Sequence, residues 1–307
     1  MRAAVIAEPG AEPIPREFRD PEPQPGAVMV EVETAGLGGW DVLGRYRLPI
    51  DYPCVLRGEG VGRAEDGRRV YFGERSVLPF GAWAERTIVP EAETWDVPDD
   101  VDDKTAITLG IAGTGAFVPL RFARIEPGEK VLILGATGVV GTLGLQLARR
   151  LGAGRVVAAG RNREALDRLE AWGIADATVQ IGRGDDQAAL KEAAGDGFDV
   201  VLDLVCGAPM LAAMKATRWG ARIVTAGNGA GTDLNFSIKD LLFRSLSLIG
   251  TGQRAPDDRQ SIWRELLQLN REEAFVVDHI DYEFDRVSEA WAAQIAAPHG
   301  KITARIR

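Results

Sequence analysis

The sequence predicts an α/β chain: a β-rich, irregular N-terminal part, then a doubly wound parallel sheet of six strands. Three observations predict it. From about residue 104 onwards, short apolar runs alternate with helical patterns. Those runs are almost continuously apolar, as strands covered by helices on both faces must be. Before residue 103, and again after 257, the texture is different. The expected units are therefore 1–112, β-rich; 113–252, the parallel sheet; and 253–307, a return to the first unit.

Each element follows in order. "AAVIA" (3–7), "AVMVEVETA" (27–35) and "AWAERTIVP" (82–90) alternate or favour β-branched residues and read as strands. "EPGAEPIPREFRDPEPQPG" (8–26) holds six prolines between two strand candidates and reads as an extended connection. Asp102 or Asp103 can cap a helix running through "KTAITLGIAGTGAFVPLRF". Strands are expected at 130–134, 155–159, 177–181, 198–205, 221–227 and 246–252. Helices are expected at 139–151, 163–172, 186–194, 209–217 and 238–243. Two amphipathic helices, "RQSIWRELLQLN" and "FDRVSEAWAAQIAA", and a closing strand, "KITARI", make the tail.

Composition narrows the function classes. Lys and Arg number 36 against 45 Asp and Glu, a net charge of −9, which argues against nucleic acid or an anionic membrane surface as partner. Cys54 and Cys206 lie far apart without metal-ligand spacing, which suits a reducing compartment. The opening "MRAAVIAEPG" does not read as a signal peptide, and no apolar stretch reaches the ~18 residues of a membrane span. A cytoplasmic protein is expected.

The most informative stretch is "GATGVVGTLGLQLARRLGAGRVVAAGRN" (135–162). Ala136-Thr137-Gly138-Val139-Val140-Gly141 follows an expected strand and opens an expected helix. It is a G-x-G-x-x-G pattern with alanine in the first slot. Gly138 lets the backbone approach a pyrophosphate, Gly141 lets helix and strand pack closely, and the helix N-terminus offers free N–H groups. About 20 residues further on, an NAD site keeps an acid for the ribose 2′-hydroxyl. Here stand Gly160, Arg161, Asn162 and Arg163. A small residue with guanidinium groups beside it suits a 2′-phosphate, so NADP(H) is favoured. The alternative is that both arginines are plain surface charge.

With these motifs the chain resembles the medium-chain dehydrogenase/reductase superfamily, and within it the zinc-free quinone oxidoreductase branch. "EPGEKVLILGATGVVGTLGLQLARRLGA" (126–153) carries most of the resemblance; "TAGLGGWDVLGRY" (34–46), "PCVLRGEGVG" (53–62), "TAGN" (225–228) and "GKI" (300–302) support it. The resemblance implies a GroES-like catalytic domain and a Rossmann domain. Where zinc alcohol dehydrogenases keep a ligating Cys and His, this chain has Gly38 and Gly58, and no metal site is expected. Without a Lewis acid, hydride addition to a quinone or to the C=C of an α,β-unsaturated carbonyl compound is the less demanding chemistry. Zinc-free alcohol or carbonyl dehydrogenases, enoyl-thioester reductases and a non-catalytic NADPH-binding protein are the alternatives.

By the same resemblance the cofactor touches Thr114, Thr137, Gly138, Val139 and Val140, then Leu204 and Val205, then Gly227 and Asn228, with Lys301 reaching the cofactor or the cleft between the domains. On the substrate side Tyr46 is the leading proton donor or oxyanion partner. Tyr52, Arg57 and Asp41 are weaker candidates, and Trp40 is placed to stack on a flat substrate. For Tyr46 and Tyr52 packing is an equal alternative, and for Asp41 the fixing of a loop. "RAEDGRRVYF" and "GRYRLP" are shorter than their counterparts in the family, so the first domain is trimmed on its substrate side. The apolar last strand, "SLSLIGTG", lies at a sheet edge, and a homodimer through it is expected.

Overall fold

The β-branched runs of the first hundred residues build short strands, and the long apolar runs after residue 130 build a parallel sheet. The computed structural model describes residues 1–43, 50–251 and 259–307. In chain order these hold β1 (Arg2–Ile6), β2 (Ile14–Glu17), β3 (Ala27–Leu37), α1 (Gly39–Leu43), β4 (Cys54–Val55), β5 (Glu59–Ala64), β6 (Arg69–Phe72), β7 (Arg86–Pro90), β8 (Thr94–Asp96) and α2 (Asp103–Ile107). A π-helical turn, Thr108–Ala112, leads into α3 (Gly113–Ala123). Next come β9 (Lys130–Leu134), α4 (Val139–Arg150), β10 (Arg155–Gly160), α5 (Arg163–Ala171), β11 (Ala177–Gln180), α6 (Asp186–Ala194), β12 (Phe198–Asp203), α7 (Gly207–Lys215), β13 (Thr217–Thr225), α8 (Ile238–Leu242) and β14 (Ser247–Gly250). The tail holds α9 (Arg259–Glu272), β15 (His279–Glu283), α10 (Val287–Ile295) and β16 (Lys301–Arg305).

Two units result. One comprises Met1–Ala112, Trp263–Arg271 and Asp278–Arg307; the other comprises Gly113–Ile262 and Glu272–Val277. The return to the first unit is therefore not a single step at 253. Residues 272–277 stay with the second unit because the Gln146 amide grips Val276 by both backbone groups (3.0 and 2.9 Å). The Arg150 guanidinium also lies 3.9 Å from the centre of the Phe275 ring, a cation–π contact.

The first unit has a seven-stranded sheet in the order β15-β16-β3-β5-β6-β8, with β7 also paired to β3, and a three-stranded sheet in the order β2-β1-β4. β2 lies inside the proline-rich segment. It pairs with β1 alone, and on that edge Pro15 needs to give no N–H to a ladder. β5 and β6 form a short hairpin whose Gly67 takes φ +87°. Leu37, Leu56, Phe72, Trp83, Trp291 and Ile302 pack into the main core. Tyr71, fully buried, stacks on Trp263 with ring centres 5.3 Å apart.

The second unit's sheet has the order β11-β10-β9-β12-β13-β14, all parallel. Chain order runs outward in both directions from the β9/β12 pair, so the strand order reverses there. Strands β9 and β12 are buried along nearly their whole length, as the continuous apolar runs require. The helical stretch 103–123 has an 18-residue window of mean hydropathy 1.4, long and apolar enough to cross a membrane. Of that window 67% is buried within the protein, the property of a core helix. Around the outer strand β14, by contrast, apolar side chains stand in the open. Trp219 is 73% and Phe243 76% exposed, with Ile238, Leu242 and Leu248 also exposed. A bond from Gly220 N–H to the Arg244 carbonyl (2.7 Å) brings the irregular first half of β13, with Trp219, beside the end of α8.

Candidate dinucleotide site

The glycine loop joins β9 to α4 at the carboxyl edge of the second unit's sheet. Gly138 caps α4 with no side chain, so the first N–H groups of the helix have no intrahelical or capping acceptor. A Cβ on Gly138 would meet nothing closer than the Gly135 carbonyl oxygen at 3.8 Å, so the backbone there is open to a ligand. Gly141 is different. A Cβ there would lie 2.4 Å from the Gly135 carbonyl oxygen and 2.6 Å from the Ala136 Cα, so only glycine allows α4 to pack on the loop. Thr137 is buried, while Val139 and Val140 are half-buried in the first turn. Gly115, next to Thr114 at the start of α3, lies against Val140. The sequence places Thr114 at the cofactor, and the structure sets it beside the helix that carries the loop.

At the end of β10 the four expected residues separate by role. A Cβ on Gly160 would come 2.9 Å from the Thr137 methyl, so packing alone requires glycine there. Asn162 caps α5, its Oδ1 accepting from the Ala165 N–H (3.0 Å). Arg163 is already engaged: its guanidinium pairs with Asp167 one helical turn on, and donates to the Thr178 hydroxyl (2.8 Å). Arg161 is exposed, and of the two arginines it is the one without a carboxylate partner among the described residues.

Beyond β12 a tight turn, residues 203–206, lies against the glycine loop. The Leu204 N–H donates to the Leu134 carbonyl (3.2 Å), and a Cβ on Gly135 would touch Val205 at 2.9 Å and Leu204 at 3.4 Å. Gly227 approaches so closely that its Cβ would lie 2.1 Å from the Leu204 carbonyl oxygen. Asn228 beside it is exposed. Leu204, Val205, Gly227 and the glycine loop thus share one edge of one sheet.

In the first unit the described candidates have these surroundings. Lys301, expected at the cofactor or the cleft, is a buried cation of the first unit. Its side chain is 2% exposed, and Nζ lies 2.6 Å from Glu59 Oε1 and 3.3 Å from the Leu37 carbonyl. Glu59 Oε2 also accepts from the Tyr71 hydroxyl (2.6 Å) and the Ile111 N–H (3.0 Å). No sequence motif marks this network, because its partners are as much as 242 residues apart. Burial and the adjacent Glu59 carboxylate hold the Tyr71 phenol well above its ordinary pKa, so it stays a donor. Asp41 is buried and its Oδ2 accepts from the Gly38 N–H (3.0 Å), which fixes the start of α1. Tyr52 packs beside the main core, and partial burial, with Cys54 adding to it, raises its phenol pKa. Arg57 donates to the Ser76 carbonyl (2.9 Å), and Trp40 is half exposed. Burial pushes the Cys54 thiol up to about 11, against the opposing pull of Arg57. Tyr46 lies outside the described residues.

Comparison with known proteins decides the family. Residues 139–271 match the zinc-binding dehydrogenase family. Over 261 residues the chain is 30% identical to quinone oxidoreductase-like protein 2 of Bos taurus, covering 81% of the chain and 74% of that relative. The chain belongs to the medium-chain dehydrogenase/reductase superfamily, in its quinone oxidoreductase-like branch. Solved structures agree with this oxidoreductase family. The quinone oxidoreductase of Thermus thermophilus, also solved with NADPH, is 27% identical with a TM-score of 0.81, covering 99% of this chain and 100% of that one. A thermostable alcohol dehydrogenase from Pyrobaculum aerophilum is 26% identical with a TM-score of 0.83, covering 99% of each chain.

In superfamily terms the first unit is the GroES-like domain and the second the Rossmann domain. At the two positions where zinc alcohol dehydrogenases keep a ligating Cys and His, this chain has Gly38 and Gly58. Gly58 takes φ +52°, and a Cβ there would lie 2.4 Å from the Gly36 carbonyl and 2.9 Å from Trp83 Nε1. A ligating side chain at 58 would displace the Trp83 Nε1–H bond to that same carbonyl (3.1 Å). Gly38 offers no ligand atom, and among the described residues no three His, Cys, Asp or Glu side chains gather to hold a metal.

Proposed function

We propose that this medium-chain oxidoreductase is a zinc-independent, NADPH-dependent reductase that delivers hydride to a quinone or to the C=C of an α,β-unsaturated carbonyl compound. The observation that carries the reading is the carboxyl edge of the Rossmann sheet, where the uncapped start of α4 lies at the end of β9 and the exposed Arg161 at the end of the neighbouring β10. The N–H groups of the helix start suit a pyrophosphate, and Arg161 suits a 2′-phosphate. Bound there, NADPH supplies a hydride from its nicotinamide ring. Leu204, Val205 and Gly227 wall the site. Tyr52, protonated at neutral pH, is the described candidate to donate a hydrogen bond to a developing enolate, and solvent supplies the remaining proton. The glycines at 38 and 58 favour acceptors that need no Lewis acid.

The test is loss of NADPH absorbance with a panel of quinones, enones, enoyl thioesters and ketones. Turnover of quinones or enones with NADPH is expected. Secondary-alcohol oxidation with NADP⁺ and no enone reduction would replace this reading with an alcohol dehydrogenase, and binding without any turnover would leave a non-catalytic NADPH-binding protein.

We further propose a cytoplasmic homodimer joined across β14. The exposed Trp219, Leu242 and Phe243 beside an outer strand support it, since an open apolar edge invites pairing. Sedimentation should show a dimer, and Phe243→Glu should shift it towards monomer. A wild-type protein that sediments as a monomer at micromolar concentration removes the proposal.

A further inference from the structure

The turn after β12 is held by a group no sequence motif singled out. Asp203, fully buried, ends the strand beside β9, where the strand order reverses. Its Oδ1 accepts from the backbone N–H groups of Val205 (3.1 Å) and Cys206 (2.8 Å), and its Oδ2 accepts from the Thr225 hydroxyl of β13 (2.9 Å). Between them these donors tie β12, its turn and β13 to one carboxylate. Burial raises the Asp203 pKa, and the two N–H groups and the hydroxyl oppose that rise.

The turn needs holding. Cys206 sits at φ +59°, ψ −159°, a region that side chains other than glycine avoid and keep only where the surroundings over-determine it. The bond from Cys206 N–H to Asp203 is one such determinant. A second is the bond from Ala230 N–H to the Val205 carbonyl (2.7 Å), and a third the bond from Ala226 N–H to the Asp203 carbonyl (2.9 Å). So held, Leu204 and Val205 press on Gly135 at the root of the glycine loop.

We infer that Asp203 is a positioning residue for the dinucleotide: its carboxylate fixes the turn at 204–206 against the glycine loop and so sets the wall of the cofactor site. This rests on the proposed NADPH reading. It adds that cofactor affinity depends on a carboxylate that touches no cofactor atom, acting through two backbone N–H groups and one hydroxyl.

The chemistry suggests the test. Asparagine at 203 can keep its carbonyl oxygen towards both N–H groups and turn its amide towards the Thr225 oxygen, which accepts. Alanine can do neither. NADPH fluorescence titration of the full chain, with thermal melting in parallel, compares Asp203→Ala and Asp203→Asn. Asp203→Ala is expected to raise the Kd for NADPH about tenfold at temperatures where it is fully folded, and Asp203→Asn to bring it back to within about threefold, as loss of the hydrogen bonds and their recovery in neutral form imply. A purely structural carboxylate would lower the melting temperature and leave the Kd of the folded protein at its wild-type value; that result overturns the inference and leaves the cofactor reading standing. Wild-type protein that binds neither NADPH nor NADH overturns both. If Asp203→Ala does not fold, the same titration on Asp203→Ala/Cys206→Gly decides it, because glycine takes the positive φ without strain. Weakened binding there supports the inference, and wild-type affinity overturns it.

Discussion

Lys301→Met is expected to lower the stability of the GroES-like domain by about 3–5 kcal/mol, the usual consequence of leaving a buried charge without its partner. Both side chains are almost completely enclosed, with 2% and 3% exposure, and they meet at 2.6 Å. Removing the ammonium leaves the Glu59 carboxylate with only the Tyr71 hydroxyl and the Ile111 N–H, two neutral donors. The double variant Glu59→Gln/Lys301→Met should recover much of the loss, since a neutral amide can still accept from both. Urea unfolding of the two variants measures this. An unchanged midpoint in Lys301→Met would mean that the enclosed pair is not coupled to folding.

Arg161→Ala is expected to weaken NADPH binding about tenfold, or ~1.4 kcal/mol, while NADH binding stays within a factor of two. The lower end of the charge-assisted range is appropriate because Arg161 is exposed and its field is screened by salt. Arg163→Ala is the matched control. That guanidinium is already committed to Asp167, so its removal should leave the NADPH preference in place. Titration of both dinucleotides against both variants checks the pair. Equal losses for NADPH and NADH in Arg161→Ala would assign the 2′-phosphate elsewhere.

Much of this architecture is legible in the sequence because the Rossmann strands are buried on both faces. "KVLIL" and "FDVVLDLV" announce themselves without reference to any partner; the first is observed at its expected bounds, Lys130–Leu134, and the second, Phe198–Asp203, ends two residues early. The first unit is less legible because its strands are defined by what they pair with. β2 hides among prolines because an edge strand tolerates them, and β15 alternates half-buried and exposed residues over only five positions, too short a run to stand out. Gly58 could be read as a missing ligand, but not as a position where Trp83 and Gly36 leave no room for one. Arg161 and Arg163 look equivalent in the sequence. The i to i+4 spacing of Arg163 and Asp167 was the available signal that one of them is taken. The pairing of Lys301 was illegible for a different reason: nothing local to it reveals Glu59, 242 residues away.

The placement of β16 also bears on how the chain matures as it is synthesised. β16 is an interior strand, with β15 on one side and β3 on the other, and it brings the Lys301 ammonium to Glu59. Until residue 301 has left the ribosome, the N-terminal hundred residues carry an unfilled slot in their sheet and an unneutralised interior carboxylate. The Rossmann strands, emitted in between and paired with one another, face no such wait. The domain that begins first is therefore completed last, and in the interval the nascent chain presents an open β3 edge.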